Sequence, residues 1–208
     1  MIWKTLLVLA CYFVGNISPS TIIARSRGID IKKEGSGNAG TTNALRVLGK
    51  KAAIITLVVD LLKGVVCTLA GVLIFDMQVG CMCAGAVFLG HIYPALLRFR
   101  GGKGAATAVG AMLVLDWRIA LIVLAIAAIF LLISKRMSVG TLVAAISFPF
   151  ITWAMNEEIL PFAVFVTAMV LVTHRANIVR LSKGQEPKMS IFDKEKERKN
   201  KKEQNVHK

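Results

Sequence analysis

Residues 52–75 read AAIITLVVDLLKGVVCTLAGVLIF, an apolar run whose only charged members are Asp60 and Lys63. A helix needs about 20 mostly apolar residues to cross the hydrocarbon core of a bilayer, and this stretch supplies them. The same reading recurs on both sides of it. Apolar segments at about 3–24, 78–97, 104–116, 118–134, 138–155 and 158–174 leave almost no chain for a domain outside the membrane. Composition agrees, with 55% of the 208 residues hydrophobic and 18% charged, where soluble domains carry about 25% charged. The expectation is an all-α, polytopic helical membrane protein with about seven transmembrane helices. A soluble enzyme, a secreted disulfide scaffold and a nucleic-acid module all fit poorly.

The loops set the orientation. Between the first two segments lie Arg25, Arg27, Lys32, Lys33, Arg46, Lys50 and Lys51; the turn at Asp76 has no positive charge. Arg98, Arg100 and Lys103 follow, then Asp116 with Arg118, then Lys135 and Arg136, then the uncharged-to-acidic Asn156, Glu157 and Glu158, and a basic tail. Cytoplasmic loops carry the excess of Lys and Arg, so the N-terminus is expected outside and the C-terminus in the cytoplasm. Only Lys4 and Arg118 of the 26 Lys and Arg then fall outside, which accounts for most of the net charge of +14 without nucleic acid. Segment 104–116 is short. A re-entrant loop there would invert everything after it, so the charge pattern favours a short or tilted crossing. Residues 1–181 are read as one integral-membrane catalytic domain and 182–208 as a basic cytoplasmic tail, solvated or at the lipid headgroups. Cys11, Cys67, Cys81 and Cys83 sit in apolar runs as small core residues, and no A-x-A-like site follows the first segment, which is read as an uncleaved span.

Three polar clusters interrupt this pattern. The first is Gly35-Ser36-Gly37-Asn38-Ala39-Gly40-Thr41-Thr42-Asn43 with Arg46 a turn later, glycine-permitted backbone and side-chain donors suited to an anion at the start of a helix. The second, Phe99-Arg100-Gly101-Gly102-Lys103-Gly104, resembles a nucleotide loop only superficially, because Leu97 stands where the Walker pattern needs glycine; it suits a phosphate without a nucleoside. The third is His174, Arg175, Asn177 and Arg180 followed by Glu186, where a continuing helix would align His174, Asn177 and Arg180 on one face. Asp60 and Lys63, three residues apart inside a span, are expected to face inward and pair, as structural ion pair or site wall. His91 is read as a core hydrogen-bonder. No metal-ligand spacing and no G-x-S-x-G elbow occurs, and neither His91 nor His174 is followed by the aspartate of a His-x₄-Asp acyltransferase motif. No metal and no cofactor is expected.

GSGNAGTTN with Arg46, DLLKG from Asp60, GHIYP from Gly90, FRGGKGAAT from Phe99 and HRANIVRLSKGQE from His174 together resemble the bacterial acyl-phosphate-dependent glycerol-3-phosphate acyltransferase family. The resemblance runs from the first span through Glu186, departing at Thr41 and Tyr93, where alanine and phenylalanine are usual. It implies transfer of an acyl group from acyl phosphate to the 1-position of sn-glycerol 3-phosphate, giving lysophosphatidate and inorganic phosphate, the first acylation of bacterial phospholipid synthesis. By motif it implies catalytic Ser36, Arg46, His174 and Asn177. It implies substrate- or phosphate-binding Gly37, Asn38, Gly40, Thr42, Asn43, Gly101, Gly102, Lys103 and Gly104. Asp60, Lys63, His91 and Glu186 are supporting residues. The implied partners are the two substrates, membrane lipid and functional coupling to an acyl-phosphate-forming enzyme. The implied location is the bacterial inner (cell) membrane, multi-pass, with the site facing the cytoplasm. The general base is open between a substrate phosphate oxygen and a neutral His174. A transporter of organic phosphates is the alternative, disfavoured because the polar groups gather at one face rather than at the midplane.

Overall fold

Capping and proline chemistry set the helix boundaries in the computed structural model, which describes residues 1–189. The helices are α1 (Ile2–Gly15), α2 (Pro19–Ser26), α3 (Thr41–Val47), α4 (Lys50–Ile74), α5 (Met77–Ile92), α6 (Ala105–Leu115), α7 (Trp117–Ser134), α8 (Met137–Met155), α9 (Leu160–Thr173) and α10 (Arg175–Ser182), with no strand among the described residues. Asp76 caps α5 by accepting from Val79 N at 2.8 Å. Asp116 caps α7 from Arg118 N at 3.0 Å. Residues 190–208, most of the expected tail, lie outside the described residues.

Each of the seven apolar segments is helical, with corrections to their ends. The first breaks at 16–18. Asn16 turns its amide onto Tyr12 O at 2.6 Å and accepts from Leu96 N at 3.0 Å, and Pro19 restarts the chain at the first position of α2, where its missing N–H costs nothing. The third stops at Ile92 rather than 97, because the residue before Pro94 is steered out of the helical region, leaving a single 3₁₀ turn at Ala95–Leu97. Five helical segments among the described residues are long and apolar enough to cross a membrane, and a sixth if α9 and α10, bent by 59° at His174, count as one. The short α6 does not reach that length: its eleven residues rise about 16 Å, about half the hydrocarbon thickness.

Contacts at the two ends fix how the helices run. Lys4 Nζ meets Asp76 Oδ2 at 2.8 Å and Asn16 meets Leu96, so α1 and α5 lie parallel. Asn156, at the end of α8, reaches Asp116 Oδ2 at 3.4 Å, so α6 ends level with the far end of α8. Trp3, Trp117 and Trp153 are exposed toward this same end, as in an interfacial aromatic belt. On α7 only Ile119, Ala120 and Val123 are buried, whereas Leu121, Ile129, Leu132 and Ile133 are exposed. Such an apolar face is stable in lipid and costly in water.

Small residues bring the backbones together where apolar burial gives no helix–helix driving force. A Cβ on Gly64 would fall on Thr107 O and 3.0 Å from Ala111 N, and one on Gly110 would fall on Leu61 O, so α4 and α6 cross in backbone contact. A Cβ on Gly90 would collide with Tyr12 O and approach Gly15 Cα to 3.0 Å. Gly90→Ala should therefore force α1 from α5 and destabilise by about 1–3 kcal/mol, read as a lower melting temperature in detergent; an unchanged value would show that this contact gives way freely. Pro149 sits inside α8 and cannot donate to Ala145 O. Thr167 Oγ1 on α9 fills that acceptor at 2.7 Å, so the proline is tolerated.

Candidate active site

The first polar cluster is a folded loop with its own small core of Ala24, Ile31, Ala39, Ala44 and Leu48. Arg27 Nη1 donates to Leu48 O at 2.9 Å and Ser20 Oγ to Ala39 O at 2.7 Å, closing the loop onto α2. Fully buried Asn43 organises its interior: Oδ1 accepts from Ser36 N at 2.8 Å, and Nδ2 donates to Glu34 O at 3.0 Å and Ile31 O at 3.3 Å. Its amide is thus committed to the loop. Gly35 and Gly37 adopt φ of 59° and 68°, conformations glycine permits at little cost. Among the described residues the Ser36 and Thr42 hydroxyls and the Asn38 amide make no hydrogen bond, and Ser36 and Arg46 are exposed.

The second cluster folds back onto the end of α5. Gly101 N donates to Ile92 O at 3.1 Å and Gly102 N to His91 O at 3.0 Å. A Cβ at Gly101 would overlap both carbonyls, so only glycine allows this approach. Gly104, at φ 84°, lies against the Phe88 ring and starts α6. Because α6 is short and crosses α4 at Gly64, the loop sits let into the helical bundle, level with the inner part of α4. Beneath it are Asp60, Lys63 and His91, all buried. Lys63 Nζ lies 2.7 Å from Asp60 Oδ1 and 2.8 Å from His91 Nδ1.

The expectation that backbone amides turn toward an anion needs correction for four of them. Those of Ser36, Gly37, Gly101 and Gly102 are committed to acceptors within the protein, and these glycines serve close approach and positive φ. Among the described residues the amides of residues 38–42 and of Lys103 and Gly104 make no hydrogen bond, so they remain available beside the side-chain donors.

The third cluster also differs from its expected form. The helix does not continue through His174 but bends by 59°, so its three polar residues do not share one straight face. Glu186, buried at 7% exposure, gathers Asn177 and Arg180 instead. Its Oε1 accepts from Asn177 Nδ2 at 2.6 Å and Ser138 Oγ at 2.7 Å, and its Oε2 from Arg180 Nε at 2.7 Å. Arg136 Nε donates to its backbone carbonyl at 2.9 Å. These partners hold the Glu186 carboxyl below its ordinary range although burial opposes this.

The three clusters meet at Lys103. Its ammonium donates to Asn177 Oδ1, and Lys32 from the first loop donates to Gly101 O. Burial lowers Lys103 to about 8; Glu186 opposes the shift, while the positive charges of Arg180 and Arg46 add to it. Burial also brings Lys32 to about 8, with Asp30 opposing and Arg100 adding. His174 Nδ1 donates to Val170 O at 2.9 Å, which in the neutral ring leaves Nε2 as the lone-pair nitrogen. The arrangement is a cluster of excess positive charge beside groups left free to donate or accept, chemistry suited to phosphate esters. The sequence reading did not single out Lys32 or Ser138. Lys32 is masked within a Lys-Lys-Glu run, and nothing around Ser138 signals that it faces Glu186.

The family model for glycerol-3-phosphate acyltransferase matches residues 5–184. A glycerol-3-phosphate acyltransferase of Clostridioides difficile (strain 630) is 43% identical over 192 residues, covering 88% of this chain and 94% of its own. One from Shewanella sp. (strain W3-18-1) is 38% identical over 187 residues, covering 89% and 92%. The crystal structure of PlsY (YgiH), an integral membrane glycerol 3-phosphate acyltransferase, in its glycerol 3-phosphate form matches with a TM-score of 0.85 at 33% identity, over 89% of this chain and 94% of that one. The fold and the coverage of both chains agree with these relatives, and the chain belongs to the glycerol-3-phosphate acyltransferase family.

Proposed function

We propose that this protein transfers an acyl group from acyl phosphate to the 1-position hydroxyl of sn-glycerol 3-phosphate, releasing inorganic phosphate and lysophosphatidate. The observation that carries the reading is the convergence at Lys103, where a half-buried ammonium feels the charges of Arg46 and Arg180 and is bonded to Asn177. Two phosphate groups bring up to about four negative charges at neutral pH, and this cluster offsets their repulsion. In the reaction the hydroxyl oxygen bonds to the acyl carbonyl carbon. The C–O bond to phosphate breaks with its electron pair leaving on phosphate, and the hydroxyl proton ends on a phosphate oxygen. The leaving group is good enough that neither ATP nor an acyl-enzyme is needed.

The substrate brings its own base to the reacting hydroxyl, a phosphate monoester dianion whose conjugate acid has a pKa near 6, whereas His174 has Nδ1 committed to Val170 O. A substrate phosphate oxygen therefore takes the proton, while Ser36, Arg46, His174 and Asn177 orient and anchor the reactants. Asn38 and Thr42 supply further donors. With the Lys- and Arg-rich end facing the cytoplasm of the bacterial inner membrane, both water-soluble phosphates reach the cluster while the acyl chain stays in apolar surroundings. An enzyme that forms the acyl phosphate must supply the donor.

Purified protein in detergent should release phosphate only when both substrates are present, and the carbon NMR spectrum of the product should carry the ester on C1. Equal turnover with an acyl thioester as donor would overturn the choice of acyl phosphate. The pH dependence of kcat/KM should fall as pH rises through about 8, where Lys103 loses its proton. No limb near pH 6–7 should be assignable to His174; a limb there that disappears in His174→Gln with little change in KM would make histidine the base.

A further inference from the structure

We propose that His91 binds the substrate phosphate directly, donating from Nε2–H at the 101–104 loop, with Lys63 and Asp60 holding the proton on that nitrogen. This rests on the reading of that loop as a phosphate site. Lys63 has three hydrogens and three aligned acceptors: Gly15 O at 3.1 Å, Ile17 O at 2.8 Å and His91 Nδ1 at 2.8 Å. An ammonium cannot accept, so Nδ1 carries the ring's lone pair and Nε2 carries its proton. Asp60 Oδ1 lies 2.7 Å from Lys63 Nζ and 3.2 Å from His91 Nδ1, yet neither contact is aligned as a hydrogen bond. The carboxylate acts here as counter-charge and does not compete for the ring.

The proton-bearing edge of His91 faces the loop. A Cβ on Gly102 would fall on His91 Nε2, so the glycine backbone lies directly against it. His91 is 6% exposed, and among the described residues Nε2 makes no hydrogen bond; it is not one of the fully enclosed unpaired atoms, which are Asp60 Oδ1, Thr68 Oγ1 and Thr107 Oγ1. Nε2 is thus the uncommitted edge of a largely buried ring, where a ligand oxygen can serve as its acceptor. Two of the loop's amides, Gly101 and Gly102, are committed to Ile92 O and His91 O. A ring held on the same backbone adds a donor to the side of the loop that these two leave without one.

Two substitutions separate this role from support of the loop. Asparagine at 91 keeps a polar atom near Nδ1 for Lys63 and loses the donor at Nε2; glutamine places an amide N–H near Nε2. His91→Asn should raise the KM for a phosphate substrate, and the inhibition constant of inorganic phosphate, roughly tenfold or more, the scale of one charge-assisted hydrogen bond, with a smaller change in kcat. His91→Gln should remain within about threefold of the parent. Unchanged constants in His91→Asn, or equal impairment in both variants, would overturn the proposal. Lys103→Met tests the loop reading separately: if it leaves phosphate inhibition unaltered, that reading fails; if it weakens inhibition and His91→Asn does not, only the role of His91 fails. Nitrogen NMR of unsubstituted protein labelled in histidine decides the case even where His91→Asn fails to fold. The signal absent from His91→Gln should show the proton on Nε2 and move when inorganic phosphate is added. A proton on Nδ1, or no response at saturating phosphate, overturns it.

Discussion

Lys103→Met should lower kcat/KM by roughly 100- to 1000-fold, the range for removing one preorganised donor at a developing charge, with little loss of melting temperature. Methionine keeps the stem and removes the charge that Asn177, Glu186 and two arginines surround. The half-buried ammonium carries its desolvation cost in the empty site and recovers it when a phosphate dianion arrives. Arginine should rescue poorly, because a planar fork does not fit a position built for a compact cation. Steady-state kinetics with each substrate varied in turn, beside a melting curve, provide the check. A variant within threefold of the parent would remove Lys103 from the site.

Glu186→Ala should produce the largest loss of stability, about 2–4 kcal/mol, because it strands Asn177 and Arg180 and leaves Ser138 without its acceptor. Breaking a buried pair leaves the partner uncompensated; the value lies below the full buried-pair range because the Arg180 side chain is 35% exposed. The Glu186 carboxyl ionises more readily folded than unfolded. Its contribution is therefore complete above about pH 4.5, the ordinary glutamate value, and is lost as pH falls through the lower folded value. Melting temperature in detergent, measured at pH 7 and pH 4, should show a gap between parent and variant that narrows at the lower pH. A gap that widens on acidification would contradict this account.

How far these residues were legible in the chain follows from the range of the forces involved. Apolar length is local, so the helical segments could be read one at a time, and loop charge gave an expected orientation. Boundaries were less legible: the break at Asn16 depends on Leu96, eighty residues away, and no local pattern records that partner. The clusters at 35–46, 98–104 and 174–186 stood out because polar and glycine-rich stretches are conspicuous in an apolar chain. Their internal use did not. Asn43 reads as a free amide and is committed to the loop, while Gly101 and Gly102 read as donors toward an anion and are turned onto α5.

By itself the sequence determined a helical chain for a membrane, the separation of charge between loops and the three polar stretches proposed to carry its chemistry, because hydrophobic length, charge and motif order need no partner. Only the tertiary structure decided which polar atoms are committed and which remain free. That is settled by hydrogen bonds between distant segments: Glu186 gathers Asn177, Arg180 and Ser138, Lys32 ties the first loop to the second, and Lys63 on α4 reaches His91 Nδ1 on α5. In a buried site each donor has few acceptors within reach, so packing geometry assigns the pairs.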